Sequence, residues 1–266
     1  MIDIIMPLYN DKKNLLFALA SIAMQTINNN ITLYLIDDSS SESYKDILEL
    51  YKDEIHIKYF KLIQNSGPGI ARNYGIKQSN GDYIFFMDSD DYLFNPKSLE
   101  QLYVYCDTSI DFISGIEYSE KFEDFFNSDN NLHAKLYSRK FIEKYNIHFN
   151  SSRMHEDCYF NGIFNVLQPN SIHIDTPIYF YSYNKNSLTS INLHEELLSL
   201  ETLIKNVKEI IDFSYSHNCN LSALNNILLS KKDYLKRTYN ALEDKNDKQL
   251  LKKWISHYNL QEIFPL

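Results

Sequence analysis

Short apolar runs alternate with segments of helical length over residues 1–90, and this rhythm constrains the fold more than any other feature. The apolar runs, predicted as strands, are residues 2–6, 31–36, 55–63 and 83–87. The helical segments between them are residues 11–25, 41–51 and 68–78. Strands separated by helices pair in parallel through right-handed crossovers. The sequence therefore predicts an α/β fold in which helices flank a mainly parallel sheet.

The rest of the chain is patterned less clearly, and Pro7 is expected to close the first strand. Helical patterns occur at residues 96–106, 137–145, 157–166, 193–217, 221–242 and 248–258. Strand patterns occur at residues 111–115 and 171–183. Residues 117–131 are polar and aromatic without a clear period, so we expect a loop there. The chain should therefore end in a helical extension.

Composition excludes several classes of protein. The net charge is −9, so a general affinity for nucleic acid is not expected. Residues 229–256 nevertheless carry eight lysines and arginines against four acids. Three widely spaced cysteines form no disulfide framework, which suits a reducing cytosol. The apolar stretch at residues 2–8 is too short for a secretion signal, and no run has the length needed to cross a bilayer.

Polar or small residues follow each of the four predicted strands. The carboxyl ends of parallel strands meet at one edge of the sheet, so these residues should converge there. Tyr9 can stack on a nucleobase, and Asp38 can accept a hydrogen bond from a base N–H. Gly67 and Gly69 allow close backbone approach at a helix start, which favours anions, and Arg72 can bind a base or a phosphate. Turn chemistry, helix capping or a surface ion pair would explain any one of them alone.

Three aspartates follow the fourth strand, at positions 88, 90 and 91. Asp88 and Asp90 are two residues apart, so a bending loop can direct both carboxylates at one divalent cation. Mg²⁺ and Mn²⁺ prefer oxygen ligands and often share them with phosphate oxygens. The alternative is a helix cap, in which Asp90 or Asp91 starts a helix near Pro96. The neighbouring strand-end residues favour the metal site.

Taken together, these motifs resemble the family 2 glycosyltransferases, which have the GT-A nucleotide-diphospho-sugar fold. The matching stretches, in the family's order, are residues 5–10 (IMPLYN), 21–26, 35–40 (LIDDSS), 67–76 (GPGIARNYGI) and 81–91. A second block is similar at residues 135–139 (KLYSR), 147–149 (IHF) and 156–157. The resemblance covers about residues 1–190 and is specific for the fold and the reaction class, not for the substrate.

The resemblance implies a set of nucleotide-binding residues. Asp38 would read the base, Tyr9 would stack nearby, and Pro7 would form the floor of the pocket. Gly67 and Arg72 would contact the nucleotide. These roles agree with the chemistry expected of each residue type.

The resemblance also implies the metal site and the catalytic base. Asp88 would lie by the ribose and the metal's hydration shell, and Asp90 would bind Mn²⁺ or Mg²⁺. Asp157 would be the general base that takes the proton of the acceptor hydroxyl, with Glu156 as a further contact. Attack opposite the leaving diphosphate would invert the anomeric configuration. On its own, the Glu156–Asp157 pair favours a helix N-terminus, and its position after the block at residues 135–149 favours the catalytic role instead.

One departure from the family pattern concerns the diphosphate. Family members often carry an arginine or a histidine after the last core strand, and this chain has Ser182 at the position expected for the arginine. Lys185 or Ser187 is the candidate to replace it in contacting the diphosphate or the acceptor.

The resemblance implies an inverting, metal-dependent hexosyl- or N-acetylhexosaminyltransferase with a UDP-sugar donor. The acceptor would be a hydroxyl of a glycan or a lipid-linked glycan. Residues 1–95 would form the nucleotide-sugar-binding half of one domain, residues 96–190 its acceptor-binding, catalytic half, and residues 191–266 the helical C-terminal extension. We expect a cytoplasmic protein whose basic C-terminal helices, with Trp254 and Tyr258, either contact anionic lipid at the inner face of the membrane or present a solvated surface.

Other functions fit part of this pattern. A noncatalytic sugar-nucleotide-binding module would need the same strand ends but not Asp157. A nucleotidyltransferase would carry a glycine-rich loop after its first strand, whereas residues 7–10 contain no glycine. An aspartyl phosphatase would place its Asp-x-Asp after the first strand rather than the fourth. A glycosyltransferase acting on a protein or nucleic acid also stays open.

Overall fold

The computed structural model of the protein describes residues 1–126, 131–183 and 193–266. The chain forms two compact units. The first comprises Met1–Arg153 and Pro169–Asn184, and the second comprises Met154–Gln168 and Lys185–Leu266. Residues 154–168 therefore group with the C-terminal helices. The predicted functional division at residues 95 and 190 stays a prediction.

The first unit contains the sheet. Its strands are β1 (Ile2–Leu8), β2 (Ile31–Asp37), β3 (Ile57–Lys61), β4 (Tyr83–Phe86), β5 (Tyr92–Leu93), β6 (Phe112–Ser119), β7 (Asp124–Phe126), β8 (Lys135–Ser138) and β9 (Ser171–Tyr181). Its helices are α1 (Lys12–Ala23), α2 (Lys45–Tyr51), α3 (Pro68–Gln78), α4 (Ser98–Tyr103) and α5 (Arg139–Lys144). Within the described residues the strand order is β3-β2-β1-β4-β8-β6-β9-β5, with β7 paired to β6.

The strands β3, β2, β1 and β4 form a parallel half, as the sequence predicts. β1 pairs with β2 on one side and with β4 on the other, and β2 also pairs with β3. Almost every residue of β1 and β2 is buried. Strands that are covered on both faces need apolar side chains on both, which explains their nearly continuous apolar sequences.

Pro7 lies inside β1, so the expectation that it ends the first strand is wrong. On the β4 side, Ile5 O accepts a hydrogen bond from Met87 N at 3.2 Å. Backbone groups alternate sides along a strand, so Pro7 faces the same side as Ile5, and pairing with β4 stops at Ile5↔Phe86. No strand partner is there to receive the N–H that proline lacks, and the strand can continue.

The other half of the sheet differs from the sequence prediction in two places. Residues 137–145 are not one helix: Lys135–Ser138 is β8, antiparallel to both β4 and β6, and α5 begins only at Arg139. Residues 117–126 are not a loop, because β6 runs to Ser119 and pairs with β7. In both places tertiary pairing decides the structure, and local periodicity does not.

Asp3 makes hydrogen bonds at the edge of the sheet where the parallel strands begin. This edge is opposite the one that carries the strand-end motifs. Its Oδ2 accepts hydrogen bonds from Asn80 N at 2.7 Å and from Gly81 N. Arg139 Nε donates to Gly81 O at 2.6 Å, and Arg139 Nη2 lies 3.4 Å from Asp3 Oδ2. A Cβ on Gly81 would lie 2.8 Å from Asp3 Cγ, so glycine is required for this close approach.

The second unit is helical. Its helices are α6 (Glu156–Val166), α7 (Leu193–Ser216), α8 (Leu221–Ala241) and α9 (Lys245–His257). Gly162 of α6 allows close packing on α7, because a Cβ there would collide with Ile210. Trp254 is buried, so the interpretation that it faces lipid is wrong. Among the residues that the structure describes, no helix combines the length and apolar character needed to cross a bilayer.

Candidate functional site

The carboxyl ends of β1, β2 and β4 lie side by side in the first unit. Leu8 at the end of β1 is level with Asp37 at the end of β2, and Asp38 N donates to Leu8 O at 2.8 Å. The loop with the three aspartates follows β4 on the other side of β1. The predicted convergence of strand ends at one edge of the sheet is therefore present.

Asp38 holds the loop that leads into α3. Its Oδ1 accepts a hydrogen bond from Ser66 N and its Oδ2 one from Gly67 N, each at 2.8 Å. Gly67 has a φ of 91°, which residues with a side chain rarely adopt, and α3 begins at the next residue, Pro68. Asp38 and Gly67 are thus in contact, and each carboxylate oxygen keeps a lone pair for a ligand.

Asp37 is a buried neighbour of Asp38 to which no sequence motif assigned a role. Its Oδ2 accepts a hydrogen bond from Tyr59 Oη at 2.5 Å and its Oδ1 one from Ser40 N at 2.7 Å. Lys61 Nζ lies 3.5 Å from Oδ2. Burial by itself would raise the pKa of Asp37, but these hydrogen bonds and the Lys61 charge outweigh it, and the pKa is lowered. An ionised, tethered Asp37 fixes the turn from which Asp38 projects.

Arg72 and Asp88 form an ion pair at the centre of the site, with 2.6 Å between Nη2 and Oδ1. The Arg72 side chain is buried, and its guanidinium lies over the Phe149 ring at 5.5 Å from the centroid. Asn73 holds Phe149 in place through two hydrogen bonds to its backbone, at 2.7 and 2.9 Å. Two residues predicted to contact the nucleotide are therefore in direct contact with each other.

His133 completes this cluster, and sequence reasoning missed it. Its Nε2 lies 3.3 Å from Asp88 Oδ2, and its Nδ1 lies 3.1 Å from Glu117 Oε2. Its ring stacks on Tyr179 with 4.4 Å between centroids. No motif marks His133, because it precedes β8 in a stretch without clear periodicity. Its proximity to the aspartates follows only from the pairing of β8 with β4 and β6.

Asp91, in the loop that follows β4, is almost fully buried. Its Oδ2 accepts a hydrogen bond from Tyr179 Oη at 2.7 Å and its Oδ1 one from Ser182 N at 2.8 Å. Burial raises the pKa of Asp91, and the charges of Asp90 and Asp88 act in the same direction. The interpretation of Asp90 or Asp91 as a helix cap is wrong, because the strand β5 follows directly.

Arg72 and His133 are the two cations that contact the carboxylates of this cluster. Burial opposes the protonation of His133, but its contacts with Asp88 and Glu117 outweigh burial and raise its pKa well above the ordinary value. Burial likewise opposes the ionisation of Asp88, but Arg72 and His133 outweigh it and hold the pKa of Asp88 well below its usual range. The cluster therefore favours the ionised form of Asp88 and the protonated form of His133.

Asp88, Asp91 and His133 form a group that fits a metal ion, since one donor atom from each lies within 4.8 Å of the others. The two carboxylates suit a hard divalent cation such as Mg²⁺ or Mn²⁺. Their oxygens already accept hydrogen bonds, and a carboxylate oxygen can accept a bond and coordinate a cation at once. Metal binding would require the deprotonated forms of both His133 and Asp91, whose pKa values are raised. Asp90, the predicted ligand, is partly buried and lies outside this group, so its role stays a prediction.

Two of the remaining predicted residues, Pro7 and Tyr9, lie in β1 or directly after it. Tyr9 follows the end of β1 with 52% of its surface exposed, so its ring is accessible to a planar ligand. Pro7 is partly buried within the strand. Ser182, which stands where the family often has arginine, donates its N–H to Asp91. Lys185 and Ser187 lie outside the described residues.

Asp157 and Glu156 open α6 in the second unit. Asp157 Oδ1 accepts a hydrogen bond from Cys158 N at 2.7 Å, and the Glu156 side chain is buried. Carboxylates in the first turn of a helix are favoured by the helix dipole. Catalysis by Asp157 stays a prediction.

Comparison with known families identifies the chain. The sequence model of the protein family described as Glycosyl transferase family 2 matches residues 3–163 of this chain. The chain belongs to glycosyl transferase family 2. The resemblance seen in the motifs is thereby confirmed, and the matched residues include the strand ends as well as Asp157.

Relatives of this family 2 chain carry glycosyltransferase names. An uncharacterized glycosyltransferase of Haemophilus influenzae is 41% identical over 104 residues, which are 38% of this chain and 41% of the relative. The poly(ribitol-phosphate) β-N-acetylglucosaminyltransferase TarS of Staphylococcus aureus is 34% identical over 107 residues, 40% of this chain and 18% of the relative. The matched segment thus spans less than half the length of either relative.

Solved structures show the fold. The crystal structure of S. aureus TarS residues 1–349 aligns with 99% of this chain and 79% of its own, with a TM-score of 0.79 and 22% identity. The complex of the same TarS region with UDP-GlcNAc aligns with 99% of this chain and 90% of its own, with a TM-score of 0.68 and 19% identity. The family 2 chain therefore has the predicted GT-A fold.

Proposed function

We propose that this protein is an inverting, metal-dependent glycosyltransferase that moves a sugar from a UDP-sugar to a hydroxyl group of a glycan or lipid-linked glycan. The observation that carries the proposal is the Arg72–Asp88 ion pair, one turn into the helix that follows Gly67, at the strand ends of a family 2 chain. TarS, which was solved with UDP-GlcNAc, supports N-acetylglucosamine as the first sugar to test. Its name also supports a polyol-phosphate polymer as one acceptor.

The donor nucleotide would be held by the residues at the ends of β1 and β2. Asp38 would accept a hydrogen bond from the base, Tyr9 would stack on it, and Pro7 would lie beneath it. The backbone of Gly67 and the guanidinium of Arg72 would face the phosphates, since a helix start and a planar cation both favour anions.

A divalent cation, Mn²⁺ or Mg²⁺, would be held by Asp88 together with Asp90 or Asp91. When bound, it would offset the charge that develops on the leaving diphosphate. Asp88 is common to both ligand sets, and Arg72 keeps its carboxylate ionised and oriented. Lys185 or Ser187 would take the place of the family's arginine on the diphosphate.

Asp157 would act as the general base on the acceptor hydroxyl, with Glu156 beside it as a contact for the acceptor. Removing that proton as the oxygen attacks makes a single displacement possible, which inverts the anomeric carbon. The three free cysteines support action in a reducing cytosol.

A panel of UDP-GlcNAc, UDP-GalNAc, UDP-glucose and GDP-mannose tests this proposal. We expect one UDP-sugar to raise the melting temperature in the presence of Mn²⁺, and UDP to be released when polyribitol phosphate or an oligosaccharide is added. Binding without UDP release for any acceptor would favour the noncatalytic module. No stabilisation by any nucleotide sugar would reject the proposal.

A further inference from the structure

A basic surface in the second unit has no part in the proposed reaction. On α8, Leu221, Leu229, Lys232, Lys236 and Tyr239 follow one another at steps of eight, three, four and three residues. These steps place the five side chains along one side of a helix. Leu221 and Leu229 are 53% and 59% exposed, although both are apolar.

Helix α9 adds three lysines to the same surface. Lys245, Lys248 and Lys252 are three and four residues apart and share one side of α9. The Nζ atoms of Lys248 and Lys252 lie 5.2 and 5.1 Å from the centre of the Tyr239 ring. Tyr239 is therefore where the lysines of the two helices meet. We call this surface the lysine strip; it consists of Leu221, Leu229, Lys232, Lys236, Tyr239, Lys245, Lys248 and Lys252.

None of the five strip lysines forms an ion pair within the part of the second unit that the structure describes, although Asp233, Glu243, Asp244 and Asp247 lie in or beside the same two helices. In the part of this unit that the structure describes, the ion pairs are Lys205–Glu209 and Lys208–Asp212, both within α7. The strip lysines take part in neither. Five neighbouring cations repel one another, and in a chain of net charge −9 this arrangement stands apart from the overall acidic balance.

We propose that the lysine strip binds the surface of a bilayer that contains anionic phospholipid. The lysines would contact headgroup phosphates, and Leu221 and Leu229 would enter the boundary between headgroups and acyl chains. A hydrated polyanion would satisfy the lysines equally well, but it offers nothing to two exposed leucines. The leucines therefore favour a bilayer over a soluble anionic polymer.

Flotation of the full chain with lipid vesicles tests the proposal. The protein should bind vesicles of phosphatidylcholine mixed with phosphatidylglycerol, not vesicles of phosphatidylcholine alone. Binding should be lost at about 1 M salt, where the Debye length is about 3 Å. The variant Lys236→Gln/Lys248→Gln/Lys252→Gln should bind about 10²-fold more weakly, since each lysine near such a surface contributes about fivefold.

A matched variant separates the position of the charge from its amount. Lys13→Gln/Lys77→Gln/Lys97→Gln removes the same charge from exposed lysines of the first unit and should bind vesicles as the unchanged protein does. Circular dichroism checks that each variant is folded. Equal weakening by both triple variants, or equal binding of the unchanged protein to neutral vesicles, would overturn the proposal.

A second variant separates lipid from polymer. Leu221→Ser/Leu229→Ser should weaken binding to the anionic vesicles and leave binding to soluble polyphosphate unchanged. If this variant binds vesicles normally and polyphosphate displaces the vesicles, the strip is a polyanion site and the bilayer proposal fails. The test does not depend on glycosyl transfer, so its result stands whether or not the proposed reaction is found.

Discussion

At the scale of single residues, contacts between oppositely charged, largely buried side chains hold the site together. His133 is the clearest case, because it contacts Asp88 with one ring nitrogen and Glu117 with the other, and its ring stacks on Tyr179. A cation in this position offsets the charge of both carboxylates in a largely buried place. His133 should therefore matter for stability as well as for the geometry of Asp88.

Replacing His133 with phenylalanine should destabilise the protein. The ring that stacks on Tyr179 is kept, but the buried Glu117 loses its cation. Breaking a buried ion pair costs about 3–5 kcal/mol, and urea denaturation should show a loss of that size in the free energy of unfolding. The exposed His148→Phe is the control and should change it by less than about 0.5 kcal/mol. A similar small change in both variants would contradict the assignment.

A substitution at Asp157 distinguishes a catalytic role of this residue from a purely structural role at the helix N-terminus. Asp157→Asn keeps the shape of the side chain and removes its basicity, so sugar transfer should fall by about 10²–10⁴-fold if it is the general base. Affinity for UDP, measured by calorimetry, should barely change. Asparagine suits a helix N-terminus well, so a purely structural role predicts near-normal turnover and an unchanged melting temperature.

At the scale of elements, the loop before α3 determines both where that helix begins and where Gly67, a predicted nucleotide contact, lies. Gly67 has φ 91° and ψ 162°, and its N–H is bound by Asp38. Glycine alone adopts this conformation without strain, so the start of α3 depends on this one residue.

Gly67→Ala should lower the free energy of unfolding by about 1–3 kcal/mol, the usual cost of such a backbone conformation for a residue with a side chain. The shifted N–H should also weaken binding of UDP. Ser66→Ala is the matched control, because it removes a hydroxyl and keeps the backbone N–H that bonds Asp38. Denaturation and calorimetry on both variants measure the two effects. Equal behaviour of the two variants would show that the conformation of Gly67 is not limiting.

An element can be predicted from the sequence when residues close to it in the chain determine its structure. It cannot when pairing with distant strands does. Helix α3 matches its prediction at both ends, because Gly67 and Pro68 mark its start. Strand β8 was not predicted, because its four residues have no period and become a strand only between β4 and β6. For the same reason His133 went unnoticed. Of the adjacent Asp37 and Asp38, the sequence alone cannot say which one is locked by Tyr59 and Lys61.

For the whole molecule, activity should depend on a divalent cation. Excess EDTA should abolish UDP release, and Mn²⁺ or Mg²⁺ should restore it. Asp90→Ala should remove most of the metal-dependent rate. Asp91→Ala should lower the melting temperature, because the Tyr179 O–H and the Ser182 N–H both lose their acceptor. Full activity in EDTA would rule out the metal.

The contact between Asp3 and Arg139 also has a consequence during synthesis. The two residues are 136 positions apart, and β8, which ends just before Arg139, is the strand that flanks β4 in the sheet. β8 ends at Ser138, 52 residues after β4 ends at Phe86, and a ribosome adding about 5–20 residues per second needs roughly 3–10 seconds to cover that distance. Until then β4 has an open edge, and an unpaired edge is where nascent chains associate with one another. We therefore expect the chain to stay dependent on chaperones until Arg139 has left the ribosome.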